Sequence, residues 1–184
     1  SGVVKGLKEK VNPLCFLRET DLTKPCKNIE RISINAKKNN KNQIEFAHEL
    51  NFRVSNSINY ESGSTTTSTS SEDALIQKKG VCQDFAHILI SAARFNQLPA
   101  RYVNGFLLED TVSGENSTHA WVEIFINNLG WVAFDPSHKK CIDDKYIRIS
   151  TGFDFEDASV IKGVKNNYNG DEYLNTKVDI ENCQ

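Results

Sequence analysis

Residues 80–87 read Gly80-Val81-Cys82-Gln83-Asp84-Phe85-Ala86-His87. The cysteine in this stretch opens a run of helix-forming residues that extends to about Phe95. Apolar residues are spread widely around this run, which is typical of a helix buried on most sides. Asn96 is suited to end the helix, and Pro99 lies just beyond it. The pattern predicts a central helix with Cys82 in its first turn.

A thiol in the first turn of a helix is well placed for nucleophilic chemistry. The unpaired backbone N–H groups and the positive end of the helix dipole both favour the thiolate, which is the nucleophilic form. The same N–H groups can receive an oxyanion that forms beside the sulfur. Cys82 is therefore predicted to be a catalytic nucleophile. The alternative is an ordinary cysteine of a buried helix.

Two later segments supply the partners that such a nucleophile needs. His119 begins a strand with alternating apolar residues, and Asp135 ends the next strand. A histidine can take the thiol proton and a carboxylate can orient the imidazole. Cys82, His119 and Asp135 therefore form a candidate catalytic triad. Without Cys82, the alternative would be a strand-end histidine and a turn aspartate without a catalytic role.

The turn between these two strands decides whether His119 and Asp135 share a face of the sheet. A tight two-residue hairpin centred on Asn128 and Leu129 would place Asp135 opposite Val122, on the other face. A three-residue loop with Gly130 in the left-handed conformation, or a one-residue bulge, shifts the strand pairing by one residue and places Asp135 on the same face as His119. The sequence therefore predicts such a loop or bulge.

Length and composition restrict the class of protein. The 184 residues are enough for one well-filled core, although the apolar fraction of 39% is on the low side. The formal net charge of −2 argues against nucleic acid or an anionic membrane as the main partner. No apolar run approaches the ~20 residues needed to span a bilayer. The chain has no methionine and starts with Ser1-Gly2, so we expect that an upstream region is missing. No signal peptide is visible, which favours a cytoplasmic location.

The order of predicted elements indicates an α+β fold. Residues 1–42 are weakly patterned and are predicted to wrap over a core formed by residues 43–184. Helices are predicted from Gln43 and over Glu72–Lys78, with Gly80 breaking the second helix. The low-complexity stretch 62–71 between them is either a mobile flap or a connector. Strands are predicted at Ala100–Glu109, His119–Ile126, Trp131–Asp135, Lys145–Ser150 and Tyr173–Ile180.

The remaining cysteines and histidines are predicted to have no catalytic role. An odd number of cysteines leaves at least one outside any disulfide within the chain. His138 and Cys141 could hold two metal ligands, but no second pair accompanies them, so we expect no metal and no cofactor. The predicted roles are small apolar side chains (Cys15, Cys26, Cys141, Cys183), helix packing (His48, His87) and a solvated or lid loop (His138).

A second oxyanion donor or a substrate contact is assigned only by proximity. Gln77 or Gln83 could donate a second hydrogen bond to the oxyanion, since both lie near Cys82 in the sequence. Trp121 and Trp131 either shield the site or fill the core. None of these residues has a spacing argument of the kind that links Cys82, His119 and Asp135.

Four segments resemble, in the expected order, the transglutaminase-like superfamily, in particular bacterial transglutaminase-like enzymes and cysteine proteases. They are GVCQDFAH (80–87), PARYVNG (99–105), HAWVE (119–123) and GWVAFDP (130–136), and the resemblance spans about residues 44–160. It implies a papain-like core, with the cysteine helix packed on an antiparallel sheet. It also implies Cys82 as nucleophile, His119 as general base and acid, and Asp135 as the residue that orients the imidazole.

The chain also departs from the pattern of its bacterial relatives. Gly152-Phe153-Asp154-Phe155 stands where such relatives often carry Gly-Arg-Asp-Tyr, so any role of that arginine is not expected here. Such relatives often have an upstream β-rich domain, and we expect that a domain of this kind is missing from the sequence.

The resemblance implies a cofactor-independent thiol enzyme that acts on amide bonds of a protein or peptide. Members of the family form a thioester with an acyl group and pass it to water or to an amine. We expect hydrolysis rather than amine transfer, because no amine-binding site or regulatory calcium ligand is recognisable in the sequence. The competing hypothesis is an inactive member that serves as a binding or scaffold module.

Overall fold

The structure, a computed structural model, describes residues 2–6, 10–38, 42–108 and 117–160. A layer of helices packs on a five-stranded antiparallel sheet, so the fold is α+β as predicted. The predicted strand Tyr173–Ile180 and Cys183 lie outside the described residues. Within the described residues, no helix has the length and apolar character needed to cross a membrane.

Five α-helices, two short 3-10 helices (Pro13–Leu17 and Asp21–Thr23) and seven strands form the described elements. The helices are α1 (Lys27–Lys37), α2 (Gln43–Ser55), α3 (Ser71–Gln77), α4 (Cys82–Phe95) and α5 (Phe155–Ala158). The strands are β1 (Asn59–Tyr60), β2 (Lys79–Gly80), β3 (Ala100–Leu107), β4 (Ser117–Ile126), β5 (Gly130–Asp135), β6 (Lys140–Cys141) and β7 (Tyr146–Gly152). The large sheet has the order β6-β5-β4-β3-β7, and β1 and β2 form a separate two-stranded parallel sheet that was not predicted.

Helix α4 is the central element of the core. It lies between helices α1, α2 and α3 and strands β3 and β4, and every residue from Gln83 to Arg94 is buried. The wide apolar distribution around this helix therefore reflects contacts on several sides. Asn96 is its C-cap residue, as the sequence predicts. This packing holds the first turn of α4 in a fixed position.

The connection between β4 and β5 is a three-residue loop, as the sequence predicts. Ile126 pairs with Gly130, so three residues separate the strands. Gly130 has φ +83°, a left-handed conformation that glycine adopts without steric cost. Val122 pairs with Phe134, and the same register carried one step further sets Asp135 opposite Trp121. Asp135 and His119 therefore lie on the same face of the sheet.

The end of α3 differs from the prediction. The residue in the left-handed conformation is Lys78, with φ +60°, and Gly80 instead belongs to β2. A Cβ atom at Gly80 would lie 2.7 Å from the side chain of Asp84 in the first turn of α4. Gly80 is therefore required by a close approach between two segments rather than by the turn itself.

The N-terminal segment contacts the sheet and contains a helix that its sequence did not reveal. Residues 2–4 pair with β5 through Val4 N–H to Trp131 C=O (2.9 Å), and Phe16 packs edge-on against Trp131. Helix α1 buries Ile29 completely, and its Ser33 hydroxyl donates to the carbonyl of Ala92 in α4 (3.2 Å). Residues 27–37 are thus part of the helical layer.

Arg94 connects this segment to the core. Its buried guanidinium donates to the carbonyls of Phe16 (2.9 Å), Ala100 (2.9 and 3.1 Å) and Phe153 (2.7 Å) and to the Thr23 hydroxyl (2.9 Å). Burial lowers the pKa of Arg94 to about 10, and the charges of Asp154 and Glu19 oppose this shift. The side chain therefore stays charged at neutral pH and holds four separate parts of the chain together.

Arg94→Met is expected to lower the free energy of unfolding by about 3 kcal/mol, because it leaves buried acceptors without a donor. The measurement is urea denaturation followed by circular dichroism. Arg31→Met is the matched control, because Arg31 is exposed on α1 and donates only to Asn28 among the described contacts. Equal stabilities for the two variants would contradict a structural role for the buried hydrogen bonds.

Candidate active site

Cys82 is the first residue of α4 and is half-buried. The turn before it is fixed by Asp84, whose Oδ2 accepts hydrogen bonds from the N–H of Val81 (2.7 Å) and the hydroxyl of Thr65 (2.6 Å). Burial raises the pKa of Asp84, although both hydrogen bonds favour the carboxylate and oppose this shift. These contacts define the start of the helix and hence the position of the Cys82 thiol.

The Ser/Thr-rich loop is attached to the same turn. Besides the contact of Thr65 with Asp84, the amide of Gln83 donates to the carbonyls of Thr66 (3.4 Å) and Thr67 (3.3 Å). The loop is therefore held against the first turn of α4. Its sequence alone left open whether it lies near the site, because it contains no apolar anchor.

His119 lies in β4, and its Nε2 is 2.7 Å from Oδ2 of Asp135 at the end of β5. The His119 side chain is 6% exposed, and that of Asp135 is fully buried. Cys82 also lies close enough to His119 that its interaction with the imidazole raises the pKa of His119. Because Nε2 is occupied by Asp135, Nδ1 is the atom left to face the thiol. The structure thus brings together the three residues that the sequence singled out.

The electrostatics of His119 favour the imidazolium form. Burial lowers its pKa, but hydrogen bonds and charge interactions with Asp135 and Cys82 outweigh burial and raise the pKa to about 9. The proton that His119 needs for general-acid chemistry is therefore present at neutral pH.

Asp135 is the centre of a larger hydrogen-bond network than the sequence predicts. Its Oδ2 also contacts Nδ1 of His138 (2.8 Å) and accepts a hydrogen bond from the Tyr146 hydroxyl (2.7 Å). Its Oδ1 accepts from the backbone N–H (2.9 Å) and the hydroxyl (2.7 Å) of Ser137. Burial would raise the pKa of Asp135, but the hydrogen bonds from His119 and His138 hold it well below its usual range. Asp135 is therefore a carboxylate at all moderate pH values.

Tyr146 and His138 are the residues of this network that sequence reasoning missed. The side chain of His138 is 40% exposed, yet its Nδ1 reaches Asp135 and its ring lies edge-on to that of His119. His138 thus lies in an exposed turn, and it also contacts Asp135, which the sequence did not indicate. The short spacing of Asp135 and His138 could have indicated a turn contact. Tyr146 begins β7, and no local spacing links it to the site.

Gln77, Gln83 and Trp121, which are assigned to the site without a spacing argument, lie in three different surroundings. Gln77 is exposed at the end of α3, and Gln83 directs its amide to the loop carbonyls described above. Trp121 is fully buried and stacks on the His119 ring with a centroid distance of 6.4 Å. Its position favours shielding of the imidazole and gives no support to a substrate contact.

The other histidines are distant from this network. His87 is fully buried, and burial lowers its pKa to about 4, so it is neutral. Its Nε2 accepts a hydrogen bond from the N–H of Phe155 (3.1 Å). His48 is exposed, and its ring packs edge-on against Phe134. Both contacts fit the predicted packing roles.

Metal-binding capacity lies elsewhere than the sequence indicated. Among the described residues, the potential ligand atoms that converge within 4.8 Å belong to His119, Asp135 and His138, and Cys141 is not in this group. Cys141 is half-buried, and burial raises the pKa of its thiol. Cys15, Cys26, Cys82 and Cys141 are all free thiols.

A model of the family described as "Transglutaminase-like superfamily" matches residues 30–136. The chain belongs to the transglutaminase-like superfamily. The matched range contains Cys82, His119 and Asp135, and its start lies within α1. Part of the segment predicted to wrap over the core is therefore within the family match.

Curated relatives match more than half of the chain. Protein Rv2569c of Mycobacterium tuberculosis (strain ATCC 25618 / H37Rv) is 31% identical over 147 residues, which cover 74% of this chain and 47% of that protein. Protein ML0607 of Mycobacterium leprae (strain TN) is 38% identical over 112 residues, covering 58% of this chain and 39% of that protein. The chain thus spans less than half the length of these relatives.

Solved structures share the fold. A protein from Cytophaga hutchinsonii described as "a Putative Cysteine Protease" has a TM-score of 0.66 and 27% identity, covering 86% of this chain and 53% of its own. The periplasmic domain of TgpA from Pseudomonas aeruginosa has a TM-score of 0.54 and 19% identity, covering 71% and 49%. The second likeness is one of fold alone. The architecture is therefore the papain-like core of the superfamily.

Proposed function

We propose that this superfamily member is a thiol enzyme that cleaves amide bonds of a protein or peptide through an acyl-enzyme on Cys82. The observation that carries the proposal is that one imidazole, that of His119, is hydrogen-bonded to Asp135 and interacts with Cys82. A nucleophile, a base and an orienting group in contact with one another are the minimum set for this chemistry.

Each member of the set has a defined role in the proposed reaction. The Cys82 thiolate attacks the amide carbonyl, and the tetrahedral oxyanion that forms is stabilised at the positive, N-terminal end of α4. His119 then donates its proton to the leaving amine, which breaks the C–N bond and leaves a thioester. Water, deprotonated by His119, hydrolyses the thioester to a carboxylic acid and restores the Cys82 thiolate and the His119 imidazolium. Asp135 keeps the imidazole in position throughout.

Hydrolysis is proposed in preference to transfer of the acyl group to an amine. The likeness to the Cytophaga hutchinsonii protein supports this choice, because the name of that protein describes a cysteine protease. The two outcomes differ only in the second nucleophile, so they can be separated by supplying a primary amine. Ammonia or peptide release without amine incorporation supports hydrolysis, and amine incorporation contradicts it.

The proposal is tested by the reactivity of each cysteine towards iodoacetamide across pH 5 to 9, measured by peptide mass spectrometry. An ordinary thiol has a pKa of about 8.5 and is almost wholly protonated at pH 6. Cys82 is expected to be alkylated at pH 6 much faster than Cys15, which is more exposed and serves as the internal control. The reason is that the His119 imidazolium stabilises the Cys82 thiolate.

His119→Asn provides the matched variant for this test. It removes the imidazolium but keeps a polar side chain of similar shape beside Asp135, so Cys82 should lose its reactivity at pH 6. If Cys82 of the unaltered chain reacts like an ordinary thiol, the enzyme proposal fails, and a binding or scaffold module becomes the better hypothesis.

A further inference from the structure

Three potential ligand atoms for a metal ion converge on the buried end of β5. Oδ2 of Asp135 is 2.7 Å from Nε2 of His119 and 2.8 Å from Nδ1 of His138, and all three atoms lie within 4.8 Å of one another. The general reaction of a cysteine nucleophile uses only the first of these contacts. The second imidazole on the same carboxylate oxygen is therefore unexplained by the proposed reaction.

The chemistry of this donor set selects a particular class of ion. Two imidazoles and one carboxylate suit Zn²⁺ and other late first-row ions, whereas Mg²⁺ and Ca²⁺ prefer oxygen ligands throughout. Three protein ligands leave a fourth position for water. The Tyr146 hydroxyl, 2.7 Å from the same Asp135 oxygen, can hydrogen-bond to the carboxylate when that oxygen binds an ion.

The site has one accessible side. His119 and Asp135 are almost completely buried, whereas the side chain of His138 is 40% exposed in the turn after β5. An ion can therefore reach the cluster past His138. Ligand atoms around tetrahedral zinc, with bonds of about 2.0–2.1 Å, are roughly 3.3 Å apart, so each hydrogen-bonded contact has to widen by about half an ångström. Movement of the exposed His138 ring can provide part of this change.

We infer that Zn²⁺ binds to His119 Nε2, Asp135 Oδ2 and His138 Nδ1 and thereby switches off the Cys82 site. Coordination at Nε2 displaces the proton of the His119–Asp135 hydrogen bond to solvent. The imidazole then keeps a single proton, on Nδ1. A neutral imidazole N–H is a much weaker acid than the imidazolium, so His119 can no longer protonate the leaving amine, and no bond or oxidation state of the protein otherwise changes.

Metal binding is tested directly in a Cys82→Ala chain. In this variant Zn²⁺ cannot bind between the Cys82 thiol and the His119 imidazole, which is the simpler alternative site. The variant keeps all three proposed ligands. Titration with Co²⁺ should show saturable d–d absorption at one equivalent, with no sulfur-to-cobalt charge-transfer band, and Zn²⁺ should displace the cobalt. Absence of a saturable spectrum overturns the proposal. A charge-transfer band also overturns it, because that band would assign the ion to Cys141.

Two further substitutions, made in the Cys82→Ala chain, locate the site. His138→Asn keeps an N–H donor for Asp135 but removes a transition-metal ligand, so the cobalt spectrum should be lost. His48→Gln removes an exposed histidine outside the cluster and should leave the spectrum unchanged. Equal binding by both variants would mean that the ion is held elsewhere.

The inhibitory consequence rests on the proposed function, but the binding does not. In the chain with Cys82, Zn²⁺ should abolish the turnover of an amide substrate, and a chelator should restore it. The His138→Asn variant should need at least about tenfold more Zn²⁺ for the same effect, which corresponds to 1.4 kcal/mol. If cobalt binds as expected but Cys82 is unreactive even without metal, the proposed enzyme function fails and the metal site stands. If Cys82 is reactive but no ion binds the cluster, the metal site alone fails.

Discussion

Cys82→Ala is expected to lower amide turnover by about 10⁴-fold or more, because no other group can form the acyl-enzyme. The same change should leave the fold intact. Cys82 is half-buried at the start of α4, and its side chain packs at the margin of the core, so loss of the sulfur should cost no more than about 1–2 kcal/mol of unfolding free energy.

The measurement combines turnover of a labelled peptide or protein substrate with thermal unfolding of the same preparation. Cys15→Ala is the matched control, because Cys15 is exposed in the N-terminal segment and is outside the hydrogen-bond network of the site. It should retain full turnover. Turnover of the Cys82→Ala chain at the level of the control would remove the thiol mechanism altogether.

The parts of the site that the sequence predicts are those with a local signal. The position of Cys82 follows from a glycine, a helix start and an apolar run in adjacent residues. The common face of His119 and Asp135 follows from strand alternation and from the three-residue loop before Gly130, which the strand register confirms. Local periodicity and turn geometry carry this information, so neither requires knowledge of the tertiary fold.

The parts that could not be predicted depend on contacts between distant segments. Tyr146 reaches Asp135 because β7 lies at the edge of the sheet next to β3, and no spacing in the sequence encodes that position. Helix α1 is stabilised by its packing against α2 and α4, and polar residues interrupt its buried stripe of Ile29, Ser33 and Ala36. Propensity alone therefore gave too weak a signal for this helix.

The Asp135→Asn variant is expected to lose about 10³–10⁴-fold in kcat/KM while keeping its size and most of its hydrogen bonds. The carboxylate raises the pKa of His119 against the opposing effect of burial. A neutral amide removes this effect, so the imidazole of the variant is deprotonated at neutral pH and is no longer held in one orientation. Alkylation of Cys82 at pH 6 should slow in parallel with turnover, since both depend on the imidazolium.

The same variant is also expected to change how the free energy of unfolding depends on pH. The folded-state pKa of His119, about 9, is above its ordinary value of 6.5, so the ion pair stabilises the fold fully below pH 6.5 and loses this effect as the pH rises through about 9. The pKa of Asp135 is lowered, so its own contribution is present above its ordinary value of 3.8 and is lost as the pH falls. The free energy of unfolding of the unaltered chain should therefore exceed that of the Asp135→Asn variant by about 2–3 kcal/mol near pH 5–6 and by much less above pH 9.

Urea denaturation of both chains from pH 5 to 10 measures this difference. Asp143→Asn is the control, because Asp143 is an exposed carboxylate in the segment between β6 and β7 and pairs with Lys140 at the surface. The free energy of unfolding of this control should differ little from that of the unaltered chain, and the difference should not vary across this pH range. A constant difference for Asp135→Asn would mean that His119 and Asp135 do not titrate as a pair. The hydrogen bond that underlies both the proposed reaction and the proposed metal switch would then be absent in solution.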